Sequence, residues 1–337
     1  MLYLDRWTER KLGMAEGSLT HEALLENQME MLRETVLYAI EHSPFYREHF
    51  RDSMKDMSFD SPDGFAWLPF TLPEELSARG EEMVCVPQSE ISRIVTLETG
   101  GSSGFPKRVY FTEEDQELTV DYFANGMRNL IDENDRLLVL MPYERPGSVG
   151  DLIKRGVERF GAKVYCLGLI GKGLSYNTIL DVIYSRGITS IVGLPTQMHG
   201  LMKHTAKLDL STVLLSGEYV SPAVVKDLTE IWGCRVFEHY GMTEMGLGCA
   251  VSCEMLQGYH IREADLYIEI IDPENGELQT DGKWGEIVFT TLTRKGMPLI
   301  RYRTGDISRI IKEPCRCGSV LRRLDRVKNR NLQKGWL

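Results

Sequence analysis

Three short segments of the chain hold residue types suited to handling a polyphosphate and its counter-ion. In Thr99-Gly100-Gly101-Ser102-Ser103-Gly104-Phe105-Pro106-Lys107, three glycines, three hydroxyls and a lysine fall within nine residues. Glycine lets backbone N–H groups turn toward a ligand at close range, and the hydroxyls and Lys107 add donors and positive charge, as a phosphate cradle requires. It is not a Walker loop, because no Gly-Lys-Ser/Thr step leads into a helix. On residue types alone, a glycine–serine turn joining two strands reads equally well. The second segment, Tyr240-Gly241-Met242-Thr243-Glu244, follows an expected strand over Arg235–Glu238. The carboxyl end of a parallel strand is where open α/β sheets bind ligands. There Tyr240 can stack on a base, Thr243 can reach a phosphate or carboxylate, and Glu244 can hold Mg2+; a tight turn with a solvated Glu fits the pentapeptide too. The third is Arg301-Tyr302-Arg303-Thr304-Gly305-Asp306, where one aspartate can accept hydrogen bonds from both ribose hydroxyls, or simply cap a loop.

A metal set is also readable. Cys253, His260, Cys315 and Cys317 offer three sulfurs and one nitrogen, and Gly318 tightens the Cys-x-Cys knuckle. That is a tetrahedral Zn2+ donor set without an open position, hence structural rather than catalytic. Cys249 competes for the fourth place, and the alternative is a scatter of unconnected cysteines. Cys85, Cys166 and Cys234 read as buried apolar residues. His199 and His204, expected on a helix after Gly193-Leu194-Pro195, read as surface residues and not as catalysts.

The elements that must position these groups follow from the hydrophobic pattern. Leu25, Met29, Leu32, Val36 and Ile40 predict a helix over 20–42, ended by Ser43-Pro44. Residues 51–73 read as surface loops with short helices, and Ile94–Leu97 and Arg108–Phe111 as strands. Between 114 and 240, helices over 114–130, 148–160, 176–187 and 222–232 alternate with apolar strands at 137–140, 164–167, 188–192, 213–215 and 235–238. That grain predicts a mostly parallel sheet covered by helices on both faces. Beyond 260, Leu266, Ile268 and Ile270 alternate with their neighbours, Pro273-Glu274-Asn275-Gly276 makes a turn, and 286–292 alternates again. This predicts antiparallel hairpins or a small barrel. The expected division is an α/β core over 1–260, an antiparallel β subdomain over 261–325 and a hinge or tail over 326–337.

Composition excludes several classes. The 337 residues carry 49 acidic and 39 basic side chains, a net charge of −10. The largest basic cluster is Arg322, Arg323, Arg326, Lys328 and Arg330, so nucleic acid is not the expected partner. No apolar run approaches the roughly 20 residues of a membrane span, and the start MLYLDRWTERKLG is no secretory signal. Seven cysteines, an odd number, fit reduced thiols in a cytoplasm better than a disulfide framework.

In this order, the three segments resemble the core motifs of the adenylate-forming enzymes, the superfamily of acyl-CoA synthetases, peptide-synthetase adenylation domains and luciferases, and most nearly its phenylacetate–CoA ligase-like branch. His42-Ser43-Pro44-Phe45-Tyr46-Arg47-Glu48, Leu68-Pro69-Phe70-Thr71 and Pro298-Leu299-Ile300-Arg301-Tyr302-Arg303 extend the likeness over about residues 30–330. The resemblance implies the large N-terminal domain of that superfamily and an ATP-dependent acid–CoA ligase, releasing pyrophosphate and leaving AMP. It implies that Thr99, Ser102, Ser103 and Lys107, with the backbone of Gly100, Gly101 and Gly104, handle the ATP phosphates. Ser216-Gly217-Glu218 would lie by the adenine and Tyr240 against it, with Gly241 and Met242 beside them. Thr243 and Glu244 would serve phosphate and Mg2+, Asp306 would hold the ribose, and Arg323 in the hinge would be a further cofactor-binding residue. Gly100 departs from relatives that carry a hydroxyl there, which removes one side-chain contact. Relatives of this branch carry a similar Cys…His…Cys-x-Cys set, which favours Zn2+.

Relatives continue past a hinge resembling Arg323-Leu324-Asp325-Arg326-Val327-Lys328-Asn329-Arg330 into a mobile lid domain, whereas seven residues follow Arg330 here. The expectation is that the lid is absent, with Lys334 in a flexible tail. The lid's work would then be done by a protein partner or omitted, and a homodimer is a further candidate assembly. Three activities follow: acyl-adenylate formation with CoA as acceptor, adenylyl transfer to another acceptor, or a nucleotide-binding scaffold without turnover. Tyr143, Pro146, Leu194 and Pro195, in loops 141–150 and 193–197, suggest a small carboxylic acid with an apolar or aromatic group.

Overall fold

The computed structural model describes residues 2–53, 58–97, 106–171 and 173–328. The phosphate-loop residues Thr99–Gly104, together with Arg330 and Lys334, lie outside the described residues.

The strands in chain order are β1 (Ile91–Leu97), β2 (Lys107–Thr112), β3 (Arg136–Val139), β4 (Lys163–Cys166), β5 (Ser190–Gly193), β6 (Thr212–Leu215), β7 (Arg235–Tyr240), β8 (Ala250–Ser252), β9 (Tyr259–Ile261), β10 (Leu266–Ile271), β11 (Gly285–Thr291), β12 (Tyr302–Ser308) and β13 (Arg323–Leu324). Eight of them form one sheet in the order β13-β9-β8-β7-β6-β5-β3-β4. From β4 to β7 all neighbours are parallel, and from β7 to β13 all are antiparallel. The alternation expected between 114 and 240 is therefore realised, with helices Glu113–Met127, Val149–Glu158, Tyr176–Arg186, Pro195–Met202 and Pro222–Trp232 between the strands. Two apolar clusters, one built on Val139, Val192 and Phe237 and the other on Leu138, Ile191 and Val213, take alternate residues of these strands. A sheet buried on both faces explains why the strands read as unbroken apolar runs.

The helix His21–His42 starts where Thr20 accepts a hydrogen bond from the Ala23 N–H, and its apolar stripe enters the third cluster with Phe45, Tyr46 and Phe50. That cluster also takes in the three-stranded antiparallel sheet β10-β11-β12. Of the two forms expected beyond 260, the structure thus has hairpins, joined as an open meander. Although Leu266, Ile268 and Ile270 alternate with their neighbours in sequence, every residue of β10 and β11 is buried. The charges this encloses are paired. Arg301 Nη2 donates to Glu269 Oε1 at 2.9 Å, and Arg303 Nε donates to Glu286 Oε2 at 3.0 Å. After β12 the chain returns to the large sheet, where β13 pairs with β9, Arg323 opposite His260.

Candidate active site

Parallel strands β6 and β7 end side by side, Leu215 opposite Glu238, so the segments that follow them meet above one edge of the sheet. Tyr240 closes β7, and a single 3-10 turn, Thr243–Met245, carries Glu244 inward until it is only 2% exposed. Gly241 has no room for a side chain: a Cβ there would lie 2.5 Å from the Leu247 carbonyl oxygen. Gly217, after β6, has φ +84°, a conformation that favours glycine.

Lys107, Glu244 and Tyr302 come together although 137 and 58 residues separate the first two and the last two. Lys107 Nζ donates to Glu244 Oε1, and Tyr302 Oη donates to the same oxygen at 3.3 Å. Lys107 opens β2, paired with Leu97 at the end of β1. Arg294, buried beneath, donates to the Glu244 carbonyl at 2.8 Å and to the Tyr110 carbonyl at 3.1 Å. Burial pulls the Arg294 guanidinium down to about 10.

Four residues along β12 from Tyr302 stands Asp306, which accepts a hydrogen bond from Tyr240 Oη at 3.0 Å. Burial, then the Asp306 charge, raises the Tyr240 phenol well above its ordinary value, so it remains a donor. These two residues line a cavity of about 190 Å3 together with Gly217, Glu218, Gly241 and Arg326. The segments expected to hold adenine and ribose thus share one cavity, and β12 ties it to the Lys107–Glu244 cluster. Glu218 is exposed, its carboxylate held by the Thr196 N–H and hydroxyl at 3.2 and 3.0 Å. Met242 and Thr243 are half-buried between the two clusters.

Arg323 is not brought to this cavity. It is buried on β13 with its guanidinium on the Gln257 and Glu313 carbonyls. Arg326, three residues on, lines the cavity instead and donates to Glu238 Oε1 at 3.0 Å. Tyr302, Arg294, His239 and Arg326 had no signal of their own in the sequence, though Tyr302 and Arg326 lie inside motifs already singled out.

A second, apolar cavity lies behind Ser216 and His239, lined by Phe123, Met141, Val192 and Leu214 among others. From the loops expected to build an acyl pocket it takes Met141 and Val149; Tyr143 is instead exposed at 38% and Leu194 does not line it.

The four expected metal ligands converge. The sulfurs of Cys253, Cys315 and Cys317 and a His260 ring nitrogen lie within 4.8 Å of one another. Cys253 Sγ is 3.6 Å from Cys315 Sγ, and Cys317 Sγ is 3.4 Å from His260 Nε2. Tetrahedral zinc with sulfur at about 2.3 Å and nitrogen at about 2.0 Å spaces its ligand atoms roughly 3.5–3.8 Å apart, so these two pairs fit. His260 Nδ1 faces the Leu321 carbonyl at 3.2 Å, which fixes the ring and turns Nε2 toward the sulfurs. Cys249 is buried and is not in the group. Cys85 and Cys234 are buried as expected, while Cys166 is half-buried.

A doubly covered α/β sheet with a cavity of about 190 Å3 at the carboxyl ends of its strands has its pocket where proteins of the open-sheet class bind their ligands. More narrowly, residues 23–292 match the AMP-binding enzyme family, and the chain belongs to it. It is 29% identical to the phenylacetate-coenzyme A ligase of Thermus thermophilus over 89% of this chain and 69% of that one. It is also 29% identical to the phenylacetate-coenzyme A ligase of Escherichia coli, over 96% and 75%. Its fold is that of 2-hydroxyisobutyryl-CoA ligase solved with 2-HIB-AMP and CoA, at a TM-score of 0.82 and 24% identity over 93% of this chain and 69% of that one. The chain is therefore an AMP-binding enzyme akin to acid–CoA ligases. Among the described residues no helix is long and apolar enough to cross a membrane.

Proposed function

We propose that the protein activates a small carboxylic acid with ATP as an acyl-adenylate, releasing pyrophosphate, and passes the acyl group to CoA. The observation that carries this reading is the convergence of Lys107, Glu244 and Tyr302 with Tyr240 and Asp306 along β12, at the cavity's edge. In the first step a carboxylate oxygen bonds to the α-phosphorus and the bond to pyrophosphate breaks. The barrier is charge crowding at phosphorus, so positioning and electrostatic relief are what the protein must supply. Lys107 is held ready by Glu244, and ATP phosphates offer it a stronger partner. With Lys107 on the phosphates, Glu244 would be the carboxylate to hold Mg2+, which would supply further charge neutralisation there. Tyr240 and Asp306 hold the adenine and ribose, and Thr243 the phosphate.

Cys253, His260, Cys315 and Cys317 would hold Zn2+, which would fix the Cys-x-Cys knuckle against β9 and contribute to folding rather than to chemistry. Arg323 serves the same region, tying β13 to the carbonyls on either side of it.

Pyrophosphate release measured with a panel of carboxylic acids, with and without CoA, tests the reaction. Release that depends on the acid, with thioester appearing only when CoA is present, is the expected result. Tight ATP binding without release for any acid would remove the reading; adenylate that accumulates with CoA present would place the acceptor elsewhere.

A further inference from the structure

His239 stands on β7 one residue before Tyr240 and lines both the nucleotide cavity and the apolar cavity behind it. Its Nδ1 is 2.9 Å from Ser216 Oγ. Its Nε2 is buried and, among the described residues, has no hydrogen-bond partner. Burial holds the ring down to about 4, so it is neutral near pH 7 and presents one N–H and one lone pair. Tyr122, whose Oη likewise has no hydrogen-bond partner among the described residues, is one of the residues lining the same apolar cavity. Buried polar groups in folded proteins are nearly always paired, so an orphan nitrogen on a residue that lines an otherwise apolar cavity calls for a ligand.

The cavity's size and place restrict that ligand. Its free space is about 30 Å3, against ~150 Å3 for an engineered cavity that takes up benzene. A short acyl chain suits it better than an aromatic ring. Because His239 faces both cavities, the oxygen it pairs with lies close to the carboxyl that must meet the nucleotide. Depending on which nitrogen carries the proton, Nε2 donates or accepts; a hydroxyl satisfies either case, being donor and acceptor together.

Resting on the acid-activating reading above, we infer that the substrate is a short-chain hydroxy acid, its hydroxyl one or two carbons from the carboxyl and paired with His239 Nε2. His239 is on this account the residue that sets specificity. The chemistry of recognition is asymmetric: a site built to hydrogen-bond a hydroxyl rejects the analogue that lacks it, because its own polar group is then left buried and unpaired.

The test compares acid-dependent pyrophosphate release for butyrate, 2-hydroxybutyrate, 3-hydroxybutyrate and phenylacetate on the unmodified protein. A hydroxybutyrate should exceed butyrate in kcat/KM by at least about tenfold, and phenylacetate should be the poorer substrate. In His239→Leu that ratio should fall to near one, and in His239→Gln, which keeps a hydrogen-bonding group, most of it should survive. Equal turnover of butyrate and both hydroxybutyrates, or phenylacetate as the best acid, overturns the inference and leaves acid activation standing. A ratio unchanged in His239→Leu shows that the hydroxyl is read elsewhere and also overturns it. Absence of release with every acid removes the underlying reading, and the inference with it. Should His239→Leu fail to fold, the comparison on the unmodified protein and His239→Gln, expected to keep most of the same ratio, still decide.

Discussion

Glu244 accepts both a lysine and a tyrosine while only 2% exposed, so its charge is useful only where another cation will replace Lys107. Glu244→Gln keeps the shape and removes the charge. Acid-dependent pyrophosphate release should fall at least about tenfold, roughly 1.4 kcal/mol of barrier; an unchanged rate would show that the carboxylate takes no part. His239 makes a separate prediction on stability. Its folded-state value, about 4, lies below the ~6.5 of an unfolded histidine. Above pH 6.5 neither state is protonated at this ring and it contributes nothing. As pH falls toward 4 the unfolded chain gains a proton that the folded one refuses, and stability is lost, by up to about 3 kcal/mol. Urea unfolding at pH 7 and pH 4.5 should show a smaller loss for His239→Leu than for the unmodified protein; equal losses would mean the ring is already protonated in the fold. At this scale the sequence shows types but not partners. Lys107, Glu244 and Asp306 are legible from their motifs, whereas the meeting of Glu244 with Tyr302 58 residues away, and of Arg294 with both Glu244 and Tyr110, depends on how β2, β7 and β12 come together.

The elements explain why those partners meet. β7 delivers Tyr240 and, through one tight turn, Glu244, while β12 delivers Tyr302 and Asp306 opposite them. The turn tolerates no side chain at Gly241, where a Cβ would strike a backbone carbonyl. Gly241→Ala should therefore displace the turn and weaken AMP binding at least about tenfold, ~1.4 kcal/mol; calorimetric titration showing the unmodified affinity would mean the turn is free to shift. Just before β12, Arg301 has φ 48° and is held by Glu269, by the Ala66 and Leu68 carbonyls and over the Phe70 ring at 4.1 Å. A non-glycine residue in that conformation persists only where its surroundings fix it. Glu269→Ala would leave the guanidinium buried without its counter-charge and should cost about 3–5 kcal/mol in urea unfolding. A loss under about 1 kcal/mol would show that water or the carbonyls suffice. Despite the alternation along Leu266, Ile268 and Ile270, β10 and β11 are buried along their whole length. Glu269 and Glu286 look like surface positions in sequence because their arginines lie 32 and 17 residues away.

In the whole molecule, the helices and strands between 114 and 240 were legible because a sheet buried on both faces imposes its own periodicity on the sequence. The return of β13 to the large sheet was not, since two residues carry no pattern. The cysteine cluster sits where that return occurs. Purified, chelator-free protein should contain about one zinc per chain, and removing it should lower the melting temperature; a ratio near zero would dispose of the metal. The central claim is that the cavity at Tyr240 and Asp306 and the cluster at Lys107 and Glu244 serve one nucleotide. A crystal structure of the protein soaked with AMP tests it most directly. The ribose hydroxyls should lie within hydrogen-bonding distance of Asp306, the ring against Tyr240 and the phosphate beside Thr243 and Lys107. AMP bound away from these residues, or bound with its phosphate turned from Lys107, would contradict the account.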